Sequence, residues 1–362
     1  MDRARLLADH INRIARAEGL SGWGWAVARN GGILAEGGAD AIFTIMSLSK
    51  TLQSAALWPL IADGQLELHA SVAHYLPSFA TNGKAAVTIE QVMLHTGCFA
   101  AQPLPFPQCA DRGTRLDSYA GWSLEGVPGR DYAYHPSNGA WVLADVGQAI
   151  TGIAYAELLN RHLLAPLGLF GADRLALGLP VAEQKRVRQV RIALSGDQVE
   201  SLPPFRPDPV TGECAISARL NSPEARAIGL PGSGVTGTAS ALALLYQAFL
   251  HDALGLWDPA VRHDATRMVR LRTRGAWNRP ICRTLGFLAA GPAADRLGEG
   301  AFFGTRVSAE AFGHEGLGGQ MVWADPESGL SFAFLTDTVT FAPTEQVRWG
   351  AEISARVAEW FG

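Results

Sequence analysis

Lysine is scarce in this chain: Lys50, Lys84 and Lys185 stand against 27 arginines. A lysine inside an apolar stretch therefore needs a specific partner to explain it. No block of basic residues occurs and the net charge is −4. Nucleic acid and anionic membranes lose their main electrostatic argument as partners. Only four cysteines are present, Cys98, Cys109, Cys214 and Cys282, with no Cys-x-x-Cys pair and no histidines at zinc spacing. Free thiols in a reducing compartment are expected, with no metal and no cofactor. No apolar run approaches the length of a membrane span. The first fourteen residues alternate leucine and isoleucine with charges instead of forming the apolar core of a secretory signal. Together these absences describe a soluble, cytoplasmic protein. Repeats and low-complexity tracts are missing too.

What is present is an ordinary globular composition, 48% hydrophobic and 18% charged. At 362 residues two packed regions are expected. The most informative stretch is Phe43 to Leu57, whose only charge is Lys50. It continues through Trp58, Leu60 and Ile61 to Asp63-Gly64 and reads as a buried helix with a glycine stop. Ser47 lies where that helix should begin, and Lys50 follows one turn later on the same face. A serine hydroxyl becomes a useful nucleophile when a neighbour takes its proton, and a buried lysine can be that neighbour. With three lysines and 19 serines, a chance Ser-x-x-Lys is expected only about 0.16 times. The plainer reading of the pair is an N-cap serine beside a lysine reaching for solvent.

Along the chain, Asn30-Gly31-Gly32 between two apolar runs predicts a β-hairpin after an N-terminal helix. Leu66 to about Asn221 reads as helical segments broken by proline and glycine, with a long loop from Ala101 to Arg115. Helices are expected from Ala140, over Tyr155–Leu164 and over Ala239–Phe249. Ala193 to Ile216 shows little pattern. Gln320–Ala324 and Leu330–Leu335 read as strands around a turn, and Thr344–Phe361 as an amphipathic closing helix. Strands at both ends with helices between predict an α+β fold. A sheet domain of residues 1–62 and 222–362 would carry an inserted, mostly helical domain of residues 63–221.

Three stretches in fixed order carry a resemblance: Ser47-x-x-Lys50, Tyr134-His135-Pro136 after Pro128-Gly129, and His314-Glu315-Gly316 before a strand. With Val92-Met93-Leu94-His95-Thr96-Gly97 and Phe312 to Gly319, they resemble the class C-like branch of the serine β-lactamase and penicillin-binding-protein superfamily. That branch also holds carboxylesterases and D-amino-acid peptidases. The resemblance implies an antiparallel sheet flanked by helices and an acyl-serine mechanism on a small ester or amide. Ser47 would be the nucleophile, Lys50 and Tyr134 the proton-transfer groups, and the Ser47 and Leu317 N–H groups the oxyanion hole, with Gly316 and His314 beside it. Acyl transfer, β-lactam hydrolysis, D-amino-acid peptidase action and a non-catalytic binder are the alternatives.

The chain departs from that pattern twice. Pro136 stands where the branch usually has asparagine, leaving Ser137 or Asn138 as its replacement. His314 replaces a lysine that helps hold carboxylate substrates, and a neutral histidine binds anions poorly. This favours esters or amides over penicillins. His135-Pro136-Ser137-Asn138-Gly139 lacks the first glycine of a nucleophile elbow, so Ser137 or Asn138 is read as a helix N-cap. His95 is expected to cap carbonyls at a helix end. Gly232-Ser233-Gly234-Val235-Thr236-Gly237 imitates a dinucleotide fingerprint without a preceding strand, and a loop capped by Thr238 suffices.

Overall fold

The computed structural model describes residues 2–193, 214–275, 278–292, 296, 300–340 and 343–362. The patternless segment noted above falls largely on residues 194–213, outside the described residues. One eight-stranded sheet organises the molecule. Its strands are β1 (Trp23–Arg29), β2 (Gly32–Gly37), β7 (Leu271–Arg274), β8 (Pro280–Arg283), β9 (Leu288–Ala289), β10 (Phe312–Gly316), β11 (Gln320–Asp325) and β12 (Leu330–Thr336). They are arranged β2-β1-β12-β11-β10-β9-β8-β7, with every pairing antiparallel. N-terminal strands thus join C-terminal ones through β1 on β12, Trp23 facing Thr336 and Arg29 facing Leu330.

Among the described residues two small sheets accompany it. β3 (Phe43–Thr44), β4 (Leu175–Ala176) and β6 (Thr236–Gly237) form one, with β6 central, and β5 (Arg191–Ala193) runs parallel to β13 (Thr338–Thr340). The expected hairpin is present because Asn30 and Gly31 both take positive φ, +51° and +73°, as its two-residue turn requires.

Alternation along the central strands divides the core. Ala26, Val322, Ala324, Ala333 and Leu335 face a cluster with the Ala239–His251 and Ser49–Ala62 helices. Trp25, Val27, Trp323, Phe332 and Phe334 face the opposite cluster, which holds Leu7, Ile11, Trp349 and Ile353 of the terminal helices Arg3–Ala17 and Pro343–Phe361. Covered on both faces, β11 and β12 are buried throughout. Helices start at side-chain caps: Asp2, Thr88 with Gln91, Asp111 and Thr238. The Asp111 cap corrects the long loop read from Ala101 to Arg115, since its carboxylate accepts from the Thr114 N–H at 2.7 Å and a helix runs from Arg112 to Gly121. The Tyr155 helix also changes character, passing into a wider turn over Asn160–Leu164. Among the described residues no single helix is long and apolar enough to cross a membrane.

Candidate active site

The chain enters the site from β3. Ile45 donates to the Val235 carbonyl at 2.9 Å, and Met46 then takes φ +52°, a left-handed conformation rare for a residue with this side chain. That turn throws Ser47 onto a short 3-10 segment, Met46–Leu48, from which the Ser49–Ala62 helix departs. Ser47 stays partly exposed while Lys50 is buried, 7% exposed. The Lys50 Nζ donates to Ser47 Oγ at 3.3 Å and to the Pro136 and Gly232 carbonyls at 2.9 Å each. A cavity of about 20 Å³ is lined by Lys50 together with Ser54, Met93, His95, Gly139 and Gly286. Burial, helped by the nearby Arg283 guanidinium, lowers the Lys50 pKa to about 7. The amine is therefore able to hold or release a proton at neutral pH.

Tyr134 joins them, with the Lys50 Nζ 5.1 Å from its ring centroid. On its flank the His95 ring lies 4.5 Å away, centroid to centroid. His95 does not cap carbonyls with its side chain: it turns with φ +60° and its Nδ1 accepts the His135 N–H at 3.1 Å. His135 in turn accepts from the Phe99 N–H through Nε2 at 3.3 Å. Desolvation pushes His95 well below the usual imidazole range and His135 to about 4, so both are neutral at pH 7.

The third stretch arrives on β10. Gly316 packs against the backbone just ahead of Ser47, where a Cβ would sit 3.4 Å from the Ile45 carbonyl oxygen and 3.0 Å from Gln320. Gln320 Nε2 bridges the Thr44 and Thr336 carbonyls at 3.0 and 2.8 Å, tying this corner to β3 and β12. Leu317, half-buried, follows in the β10–β11 turn. His314 is 1% exposed and its Nδ1 pairs with the Glu315 carbonyl at 2.7 Å. Burial first, then the Arg283 charge, holds it well below the usual range and neutral. It sits beneath the site instead of facing an open cleft.

Asn138 corrects an expectation. Its amide nitrogen lies within 3.0, 3.3 and 2.7 Å of the Phe99, Ala100 and Gln102 carbonyls, so it anchors that loop and its N–H groups are not turned to a substrate. Ser137 occupies the N-cap position of the Asn138–Thr151 helix, with no side-chain cap bond. At Pro136 it is the backbone that meets the lysine: its carbonyl accepts from Lys50. Gly232, dismissed above as part of a loop, is the second such acceptor, and a Cβ there would lie 3.3 Å from Lys50 Nζ. Neither carbonyl has a side-chain signature, so sequence reasoning could not find them. Arg283 was also missed, being one of 27 arginines.

The chain is similar to known proteins over nearly its whole length. Residues 7–356 match the Beta-lactamase family. The esterase/beta-lactamase LipL of Mycobacterium tuberculosis is 28% identical over 316 residues, 82% of this chain and 69% of LipL. A penicillin-binding-protein homologue from Caulobacter crescentus superposes with a TM-score of 0.77 at 26% identity, covering 99% of this chain and 97% of that one. A family VIII carboxylesterase shares the fold, with a TM-score of 0.79 at 20% identity over 98% of both chains. With the match running nearly end to end over an α+β fold of the same kind, the chain belongs to the Beta-lactamase family.

Proposed function

We propose that the protein is a serine hydrolase that cleaves a small ester through an acyl-serine intermediate, with Ser47 as nucleophile. The observation that carries this reading is the 3.3 Å contact from Lys50 Nζ to a partly exposed Ser47 Oγ, made by an amine whose pKa is lowered to about 7. The neutral amine takes the serine proton, with Tyr134 sharing its transfer, and the alkoxide adds to the substrate carbonyl. The Ser47 and Leu317 N–H groups are assigned to the resulting oxyanion, supported by the approach of Gly316 to Ile45. The proton returns to the departing alkoxide, and water, deprotonated by the same groups, releases the acid. Esters are preferred over carboxylate-bearing β-lactams because the buried His314 carries no charge at neutral pH. Amides and alternative acyl acceptors follow as weaker substrates of the same intermediate. A cytoplasmic setting belongs to this reading and is supported by four buried free cysteines.

Intact-protein mass spectrometry with a fluorophosphonate and short-chain p-nitrophenyl esters tests the proposal. The wild type is expected to gain one acyl or phosphonyl mass. Ser47→Ala should gain none and lose about 10³-fold or more in kcat/KM at unchanged Tm. An adduct of equal yield on the variant would remove Ser47 from the reaction.

A further inference from the structure

Arg283 ends β8 beneath the site and is 1% exposed. Its guanidinium carbon lies 5.5 Å from the Tyr134 ring centroid and 5.7 Å from that of Tyr132, whose hydroxyl accepts from Nε at 3.1 Å. The backbone that carries it is held firmly. Its carbonyl accepts from the Arg270 N–H at 2.9 Å, and the turn after it closes through Thr284 N–H on the Phe287 carbonyl. That turn is pinned to the lysine's own helix: Ser54 donates to the Leu285 carbonyl at 2.6 Å, and Gly286, at φ +89°, leaves a Cβ position only 2.6 Å from the Ser54 Cβ. Arg283 and Lys50 therefore keep a fixed relation to one another and to the Tyr134 ring they both approach.

We infer that the Arg283 guanidinium is a fixed cation that draws both Lys50 and Tyr134 toward their deprotonated, proton-accepting forms, making it a positioning residue for the acyl-transfer reaction. The inference rests on the reading of Ser47 as nucleophile. Its physical basis is that a guanidinium does not titrate in proteins, whereas an amine and a phenol do. Like charge nearby disfavours the ammonium of Lys50, and opposite charge favours a phenolate on Tyr134. A lysine near neutrality cannot supply a constant positive charge to the phenol; an arginine can. Among the described residues Tyr132, His95, His135 and His314 also lie around this pair, and burial keeps all three histidines neutral across the working range. The guanidinium is thus a constant charge that favours the free amine of Lys50 and the phenolate of Tyr134 together.

The scarcity of lysine makes the test direct, because protein labelled with 13C at lysine Cε gives three signals, Lys50 being assigned by its loss in Lys50→Met. Arg283→Gln is expected to raise the Lys50 midpoint by about one unit. With a midpoint moved from about 7 to about 8, kcat/KM on p-nitrophenyl butyrate falls about fivefold at pH 7 and less than about 1.5-fold at pH 9. Tyr132→Phe keeps the charge and removes only the hydroxyl, so its midpoint should stay within about 0.3 unit. An unmoved midpoint in Arg283→Gln, or the same shift in Tyr132→Phe, overturns the inference. Arg283→Met is a second neutral variant, and if neither neutral variant folds the residue is a structural clasp and the inference falls. Because the titration is read without substrate, failure of wild-type Ser47 to acylate would count against the proposed reaction and leave the charge effect separately measured.

Discussion

At the scale of the residue, Lys50 shows what burial does to an amine. Its value in the unfolded chain is near 10.5 and in the folded protein about 7, so between those limits the unfolded state binds more protons and stability rises with pH. Below about 7 both states carry the ammonium and the burial penalty is present in full. Two consequences are measurable. The acidic limb of kcat/KM should lie near pH 7, since only the free amine accepts the serine proton. Lys50→Met should abolish activity yet stabilise the protein at pH 6 by about 1–2 kcal/mol, the gain being reduced by the two carbonyls it leaves without a donor. Thermal unfolding at pH 6 and pH 10 decides this: a variant no more stable than the wild type at pH 6 would show that the burial penalty is already compensated.

Single elements set the geometry that those residues use. The β3-to-helix turn holds Met46 in a left-handed conformation, and the loop ending at β6 supplies the Gly232 carbonyl. At Gly232 an added methyl would fall 2.9 Å from the Ala140 Cβ and 3.2 Å from the Pro136 carbonyl oxygen, closer than those neighbours allow. Gly232→Ala is therefore expected to push this loop off Lys50 and lower kcat about tenfold with a Tm within a few degrees of wild type. Gly121→Ala, where the methyl meets open space, is the control and should leave kcat unchanged. Equal activity in both variants would show that the Gly232 carbonyl does not fix the amine.

Across the whole molecule, one apolar cluster runs through both regions that the sequence divides. It holds Ala26, Phe43 and Phe312 together with Phe79, Val92, Trp141 and Leu163. We propose that residues 63–221 and the sheet region 1–62 with 222–362 unfold as one unit despite the two-part chain order. Calorimetry should give a single transition with a van't Hoff enthalpy close to the calorimetric one, and two resolved transitions would refute it. Truncating the terminal-helix face tests the other cluster: Leu7→Ala, at a fully buried position, should cost about 2–5 kcal/mol without changing the pH dependence of kcat/KM.

The sequence by itself determined the hairpin at Asn30-Gly31, the strands on either side of the Asp325–Gly329 turn, the apolar helices and the Ser47/Lys50 pair. Each of these depends on local periodicity or turn chemistry, which neighbouring residues carry in full. Tertiary structure alone decided that β7 to β9 extend the sheet, that Asn138 serves a loop, that His314 lies buried, and that Pro136 and Gly232 hold the amine through their carbonyls. Backbone acceptors have no residue type, and the short strands bear no pattern long enough to register. Arg283 makes the same point, since a charge acting across space has no spacing in the chain by which to be recognised.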